Sequence, residues 1–343
     1  MVRGDIFYLN INDWQKRLLD LVSRFHVLAP REGLYEMEYH PVANEETARI
    51  IFPGARLTTP LKSFLYPAKE SVTIDPTFEQ KQAVLFGVKA CDLKAIATLD
   101  HIFLDPDFVD PFYKTRRDNI LLVSDDCPAP KECCFCTLMG GNPFPDQNFD
   151  LNLSFLEHGV LVEVGSEKGM ALLENAKGNY APAEQKHLIQ RDAQRNKSIQ
   201  LLKEINKSFQ FPLENLPSLI EDKYDSLAWK ESCETCVSCC ACTNICPSCH
   251  CFLLIENIGE ENRERLFNVV RSWDSCQSPG FARVAGGANP RKRLRNRFEN
   301  RFLCKLQYKP RNYGIFACTG CGRCFEACQG KIDVRQVLSL VSK

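Results

Sequence analysis

Apolar positions along the chain follow two periods. Trp14, Leu18, Leu19, Leu21, Val22 and Phe25 recur at helical spacing, which predicts an amphipathic helix with Asn12 as its N-cap. Residues 83–88 (Ala-Val-Leu-Phe-Gly-Val) form a continuous apolar run, as expected of a strand covered on both faces. Helical spacing resumes at Leu93, Ile96, Ala97, Leu99, Ile102 and Phe103, with Asp92 as the expected cap. Residues 120–123 (Ile-Leu-Leu-Val) predict a second buried strand, and strand–helix–strand predicts a βαβ unit with parallel strands. Residues 151–155 and 160–164 flank His158-Gly159 and predict a hairpin. Residues 182–209 are polar and charged and predict a solvated helix acting as a spacer. Residues 1–225 are therefore expected to form an α/β domain with a partly parallel sheet, and residues 226–343 a second domain.

Composition sharpens this picture at one point. The chain has 343 residues, 43 Lys+Arg against 43 Asp+Glu, and 44% apolar residues, all ordinary for a globular protein. A net charge of zero argues against a protein whose main work is neutralising phosphate backbones. The 19 cysteines are unusual: a chain of this length needs no disulfide staples, and an odd number cannot pair completely. The polar start, Met1-Val2-Arg3-Gly4-Asp5, does not read as a secretory leader, and no apolar run is long enough to span a membrane. The expected compartment is a reducing cytoplasm, where thiols remain free for metals.

The cysteines are grouped. Five lie within residues 91–136, eight within 233–251 and four within 318–328; Cys276 and Cys304 stand apart. Cys236-x2-Cys239-x2-Cys242-x3-Cys246-Pro247 has the spacing of a ferredoxin half-motif, and Cys318-x2-Cys321-x2-Cys324-x3-Cys328 repeats it. Three thiolates on a tight turn reach one cubane, and the fourth ligates the other cluster. This predicts one 4Fe–4S cluster on Cys236, Cys239, Cys242 and Cys328, and a second on Cys318, Cys321, Cys324 and Cys246. Zinc knuckles supply cysteines in pairs rather than in threes. Gln329 stands where proline usually follows the fourth cysteine. Cys233 offers an alternative register, Cys233-x2-Cys236-x2-Cys239, but only the later register ends in x3-Cys-Pro. About 70 residues separate the halves, which resembles an α-helical ferredoxin arrangement with helices between them. Cys249, Cys251, Cys276 and Cys304 are either a further metal site or buried structural thiols.

A third site is expected in the first domain. Cys91 follows the first buried strand and Cys127 follows the second, and the carboxyl ends of neighbouring parallel strands face one crevice. With Cys134 and Cys136 they supply four ligands for a third 4Fe–4S cluster, leaving Cys133 spare. A zinc site or buried thiols on apolar strands are the alternatives. Gly140-Gly141-Asn142-Pro143 reads as a turn beside this site.

Several segments together carry a family likeness. Gly87-Val88-Lys89-Ala90-Cys91-Asp92-Leu93, Cys134-Phe135-Cys136, Cys246-Pro247-Ser248-Cys249-His250-Cys251, Trp273-Asp274-Ser275-Cys276-Gln277 and Asn300-Arg301-Phe302-Leu303-Cys304-Lys305 occur in this order. With the paired motifs, the chain resembles the beta subunit of cytoplasmic sulfhydrogenases, a family that includes an iron–sulfur subunit of anaerobic sulfite reductase. The resemblance implies an iron–sulfur subunit with two or more 4Fe–4S clusters. It implies a partner carrying FAD or FMN, linked to nicotinamide or ferredoxin, and a catalytic partner such as a hydrogenase or sulfite reductase.

The remaining motifs favour a conduit over an enzyme. No G-x-G-x-x-G follows a strand, no P-loop occurs, and six histidines lack metal-ligand spacing. The basic run Arg291-Lys292-Arg293-Leu294-Arg295-Asn296-Arg297 has no aromatic platform for nucleic acid. Its other readings are a solvated helix face, a counter-charge to a cluster and a docking surface. The expected protein is a non-catalytic electron-transfer subunit. The alternatives are an autonomous flavoenzyme with flavin on the α/β domain and an iron–sulfur regulatory protein that binds nucleic acid.

Overall fold

The structure, a computed structural model, describes residues 4–34, 36–52, 54–73, 82–261 and 264–343. Met1, Val2 and Arg3 of the polar start lie outside the described residues. The first elements are β1 (Ile6–Asn10), α1 (Ile11–Arg24), β2 (His26–Glu32), β3 (Met37–Pro41), α2 (Lys62–Leu65), β4 (Lys69–Ser71), β5 (Ala83–Val88) and α3 (Ala90–Phe103). A short ribbon, β6 (Leu104–Asp105) and β7 (Phe108–Val109), leads into α4 (Pro111–Asn119) and β8 (Ile120–Asp125). Then come β9 (Leu151–Leu156), β10 (Gly159–Val164), α5 (Glu167–Glu174), β11 (Ala181–Pro182) and α6 (Gln185–Ile205).

The two buried runs pair side by side. β5 and β8 are parallel, with Val84 opposite Leu121 and Leu85 opposite Leu122. β2 and β9 extend the parallel core on either side, and antiparallel β11-β1-β10 and β3 complete an eight-stranded mixed sheet. Strand alternation divides the core between the two faces. Val84, Phe86, Leu121 and Val123 pack with Trp14, Leu18 and Leu21 of α1. Leu85, Val88, Ile120 and Leu122 pack with Leu93, Ile96 and Leu99 of α3. The hairpin expected around His158-Gly159 is β9–β10.

Three local expectations change. The cap of α1 is Asn10, whose backbone is extended and whose side chain accepts from Asp13 N at 2.9 Å; Asn12 lies inside the helix. Helix α3 begins at Ala90, so Asp92 sits in its first turn instead of capping it. The Asp92 carboxylate accepts from Arg323 Nη2 at 2.8 Å. Helix α6 does more than span a gap. Arg195 bonds Asp126 at 2.7 and 3.0 Å, and Ser198 and Leu202 are buried against the sheet side of the molecule.

A bulge ends β5. The register with β8 shifts between Phe86 and Val88, and Gly87 between them has φ +76°. A Cβ there would lie 2.4 Å from Pro30 Cγ, so only glycine is free of conflict. The bulge turns the strand end toward Lys89 and Cys91, as bulges beside functional sites commonly do.

The rest of the chain adds a helical body and a ribbon. Its elements are α7 (Leu216–Asp222), α8 (Leu227–Ser232), α9 (Ala241–Asn244), β12 (Phe252–Glu261), β13 (Glu264–Trp273) and α10 (Leu294–Leu303). A π-helical turn (Cys304–Tyr308), α11 (Lys309–Tyr313), α12 (Arg323–Glu326) and α13 (Val334–Val341) follow. Trp229, Phe298, Phe302, Leu338 and neighbours form one apolar core with Phe135 and Met139. The ribbon departs from the all-helical insertion expected between the motif halves. Residues 269–273 (Val-Val-Arg-Ser-Trp) are suited to a strand, and β4 pairs with them through Lys69, Glu70 and Ser71. Among the described residues, no helix is long and apolar enough to cross a membrane.

Arg271 ties the ribbon to the sheet domain. Its guanidinium bonds Glu70 Oε1 at 2.6 and 3.1 Å and also pairs with Asp110, while Glu70 takes a second bond from Arg116 at 2.6 Å. Only 2% of Arg271 is exposed, so its loss leaves two carboxylates with one fewer counter-charge in a buried place. Arg271→Ala is expected to lower stability by about 3–5 kcal/mol. A thermal unfolding midpoint equal to that of the parent would contradict this account.

Candidate functional site

The two motif loops repeat each other residue by residue. Ser238 and Cys240 have φ of +54° and +62°, and Gly320 and Gly322, at the equivalent places, have +67° and +74°. After each loop comes one turn of helix, α9 or α12, with the same hydrogen bonds. Thr243 N donates to Cys240 O at 3.1 Å and Phe325 N donates to Gly322 O at 3.0 Å. Cys246 N donates to Thr243 O at 3.3 Å and Cys328 N donates to Phe325 O at 3.2 Å. This matching supports the register that begins at Cys236 over the one that begins at Cys233. Cys240 then stands in the place of Gly322, between ligand positions. The sequence carries no signal for left-handed Ser and Cys, because glycine is the usual occupant.

The second cysteine set lines one cavity. Cys246, Cys318, Cys321 and Cys324 face a space of about 470 Å³, together with Arg301 and Lys305. Lys305 Nζ lies 3.1 Å from Cys246 Sγ and 2.9 Å from Ser248 Oγ. Arg301 is 7% exposed, and its Nε has no hydrogen-bond partner. Neither Arg301 nor Lys305 has a carboxylate within ion-pair distance among the described residues. Burial pulls the Lys305 ammonium toward neutrality, but Cys246, Cys249, Cys304 and Cys318 more than restore it and hold its pKa above the ordinary lysine value. The buried cations call for anionic sulfur, which is what a thiolate-bound cluster supplies.

The first set sits nearer the surface. Burial raises the Cys242 thiol, and its sulfur neighbours Cys276, Cys236 and Cys328 act in the same sense, against Arg301. Cys236, Cys242 and Cys328 are therefore close neighbours. Cys239 is exposed, and so is Val237 beside it.

The four N-terminal cysteines also meet at one cavity. Cys91, Cys127, Cys134 and Cys136 line a space of about 330 Å³ together with Arg56 and Lys89. The strand ends bring Cys91 and Cys127 there. Cys127 N donates to Pro143 O at 2.7 Å, and Cys127 O accepts from Ser198 Oγ of α6 at 2.6 Å. Asn206 Nδ2 holds Cys134 O at 2.9 Å. Gly140 ends the turn after Cys136 in the left-handed region, and Gly141 N donates to Cys136 O at 2.9 Å. Cys133 is buried beside Cys134, with its sulfur 3.5 Å from Arg56 Nη2. A bond from the Cys134 thiol and then the Arg56 charge lower the Cys133 thiol to about 7.

This N-terminal cavity shares a wall with the second motif. Cys321 lines both cavities. Phe135 N donates to Gly320 O at 2.7 Å, and Arg56 Nε donates to Cys321 O at 2.5 Å. Arg56 also pairs with Glu326, and Arg323 Nε holds Leu57 O and Thr58 O at 2.9 and 3.0 Å. Motif spacing did not point to Arg56, whose partners Cys321 and Glu326 lie more than 260 residues away in sequence. Arg301 and Lys305 did leave a signal, an i, i+4 pair of cations flanking Cys304.

The remaining cysteines group nearby. The Cys249 thiol bonds Cys246, and the Cys251 thiol bonds Cys276, with Cys304 close to both pairs. Among the described residues, no three His, Cys, Asp or Glu gather around a point suited to a single ion. Of the basic run, Arg293 and Lys292 are exposed, while Arg297 is buried and donates to Gln277 O at 3.0 Å and Lys292 O at 2.6 Å.

The comparisons with known proteins agree with this chemistry. Residues 235–332 match the 4Fe-4S dicluster domain. Sulfhydrogenase 2 subunit beta of Pyrococcus furiosus is 33% identical over 261 residues, covering 75% of this chain and 73% of that protein. The likeness extends well beyond the dicluster match, and the chain belongs to the sulfhydrogenase beta-subunit family of iron–sulfur electron-transfer subunits.

Proposed function

We propose that this chain is a cytoplasmic electron relay with three 4Fe–4S clusters, joining a flavin subunit to a catalytic redox subunit of hydrogenase or sulfite reductase type. Its ligands are Cys236, Cys239, Cys242 and Cys328 for the first cluster and Cys246, Cys318, Cys321 and Cys324 for the second. Cys91, Cys127, Cys134 and Cys136 serve the third. The observation that carries this reading is the shared wall at Cys321, which sets the third cavity directly against the second. When bound, 4Fe–4S clusters supply reversible one-electron transfer over a wide range of potential. The protein residues place the thiols, exclude water from the inner sites and set the local charge. The exposed Cys239 edge is the natural point of exchange with a partner. The relative's name places it in a sulfhydrogenase, which supports a hydrogenase-type partner here.

Iron and acid-labile sulfide, measured on anaerobically prepared protein, test the ligand sets. Cys91→Ser is expected to remove one cluster, about four irons. Full retention of iron, or zinc in its place, would refute the third site. Flavin absorbance retained by the isolated chain would favour the autonomous flavoenzyme.

Arg301 provides an electrostatic test. A buried cation stabilises the more negative, reduced form of a nearby cluster, so its removal lowers the potential. Arg301→Gln is expected to shift at least one midpoint downward, on the order of 60 mV, a tenfold change for a one-electron couple. Potentiometric titration followed by electron paramagnetic resonance gives the sign directly; unchanged or raised midpoints would contradict the assignment.

A further inference from the structure

Four cysteines outside the three proposed centres converge through elements far apart in the chain. The ribbon closes with Phe252 opposite Trp273, and Asp274 N donates to Cys251 O at 3.0 Å. That pairing sets Cys251, just before β12, beside Cys276, just after β13. Gln277 Nε2 contacts Cys276 Sγ at 3.5 Å and also donates to Arg297 O at 2.6 Å, which fixes this corner against α10. Cys249 follows Cys246 by one turn, with Cys249 N donating to Cys246 O at 3.3 Å. Cys304 opens the π-helical turn that continues α10. Such turns are rare and concentrate at functional sites, because the widened backbone displaces a side chain from its regular helical direction.

The surroundings carry positive charge without a matching acid. Lys62, Lys305 and Lys309 are 3%, 7% and 9% exposed. Among the described residues, none of the three has a carboxylate within ion-pair distance. Lys62 Nζ instead bonds Cys249 O at 3.1 Å and Thr243 O at 3.3 Å and lies 3.9 Å from the Trp273 ring centre. Lys309 lies over the Tyr313 ring at 4.9 Å. A buried ammonium without a counter-ion is costly, and neutral structural thiols do not relieve it. A tetrathiolate cubane is net negative and does. A single zinc ion would require the sulfurs to meet around one point at about 2.3 Å. No such gathering occurs among the described residues.

We propose that Cys249, Cys251, Cys276 and Cys304 hold a fourth 4Fe–4S cluster, seated beside the second through the Cys246-x2-Cys249 turn. This rests on the electron-relay reading and extends it. The second cluster becomes a hub, touching the third through Cys321 and the fourth through Cys246. Lys62, from the α/β half, then closes the fourth site over the C-terminal half.

Iron and sulfide counts with electron paramagnetic resonance on the full anaerobic chain test this. The parent is expected to hold about 16 irons and as many sulfides, and Cys276→Ala and Cys304→Ala about 12 each, with loss of the same signal. A parent count of about 12 that neither variant lowers would overturn the fourth cluster and leave the three-cluster relay standing. A parent count of about 12 that Cys276→Ala lowers to about 8, and Cys91→Ser leaves intact, would uphold the fourth cluster and remove the third. Should either alanine variant lose all its iron, the parent count read beside Cys91→Ser still decides. Zinc in place of iron would overturn both readings.

Discussion

Backbone contact between two cysteine loops is the constraint on which the arrangement of centres depends. The segment carrying Cys133, Cys134 and Cys136 lies directly on the second motif loop. A Cβ on Gly320 would come within 2.5 Å of Phe135 C and O, and one on Gly322 within 2.3 Å of Cys133 O. Glycine at these two places therefore serves twice. It allows the left-handed turn that aims the motif thiols inward, and it lets a second cysteine loop approach to hydrogen-bonding distance. Arg56 and Arg323 then fasten the contact from the α/β side, through Cys321 O and Asp92. Without that approach the N-terminal cavity and the motif cavity would have no wall in common.

Charge follows the same design. Arg56, Lys62, Arg301, Lys305 and Lys309 are all buried around cysteine sulfur. Of these, Arg56 alone has a carboxylate partner, Glu326, among the described residues. At about 4 Å and an effective dielectric near 20, one opposite charge is worth about 4 kcal/mol. The cations thus make the protein without clusters a strained one, and they favour reduced clusters over oxidised ones. Ordinary ion pairs occur both beside the thiols, as at Arg323 with Asp92, and away from them, as at Arg271 with Glu70 and Asp110.

Much of this was legible in the residue order. Continuous apolar runs marked β5 and β8, because parallel strands covered on both faces have no polar side to show. The x2-x2-x3 spacing marked the motif loops, because a cubane imposes its geometry on neighbouring positions. The convergence of Cys91 and Cys127 followed from strand polarity alone. The ribbon was less legible. Phe252, Leu253, Leu254 and Ile255 are all partly exposed, so no clean two-residue alternation announces the strand. The left-handed Ser238 and Cys240 were hidden for another reason: their conformation is imposed by the loop they share with Gly320 and Gly322, and their side chains do not favour it. Arg56 lies in a stretch without regular structure, and its role depends on partners distant in sequence, Cys321 and Glu326 more than 260 residues away and Cys133 77 residues away.

That distance also governs how the molecule is made. The sheet can begin to assemble once β10 has been synthesised, since β1 pairs with it and β5, β8 and β9 are already present. The N-terminal cavity cannot close then, because Gly320 and Cys321 form its far wall. Its four thiols stay open to solvent through most of translation and are enclosed only when nearly the whole chain has left the ribosome. Contacts of such long sequence separation form late and slowly. The nascent protein therefore passes through a stage in which its sheet can fold while the thiols of Cys91, Cys127, Cys134 and Cys136 are still open to solvent, the interval in which misoxidation competes with their enclosure.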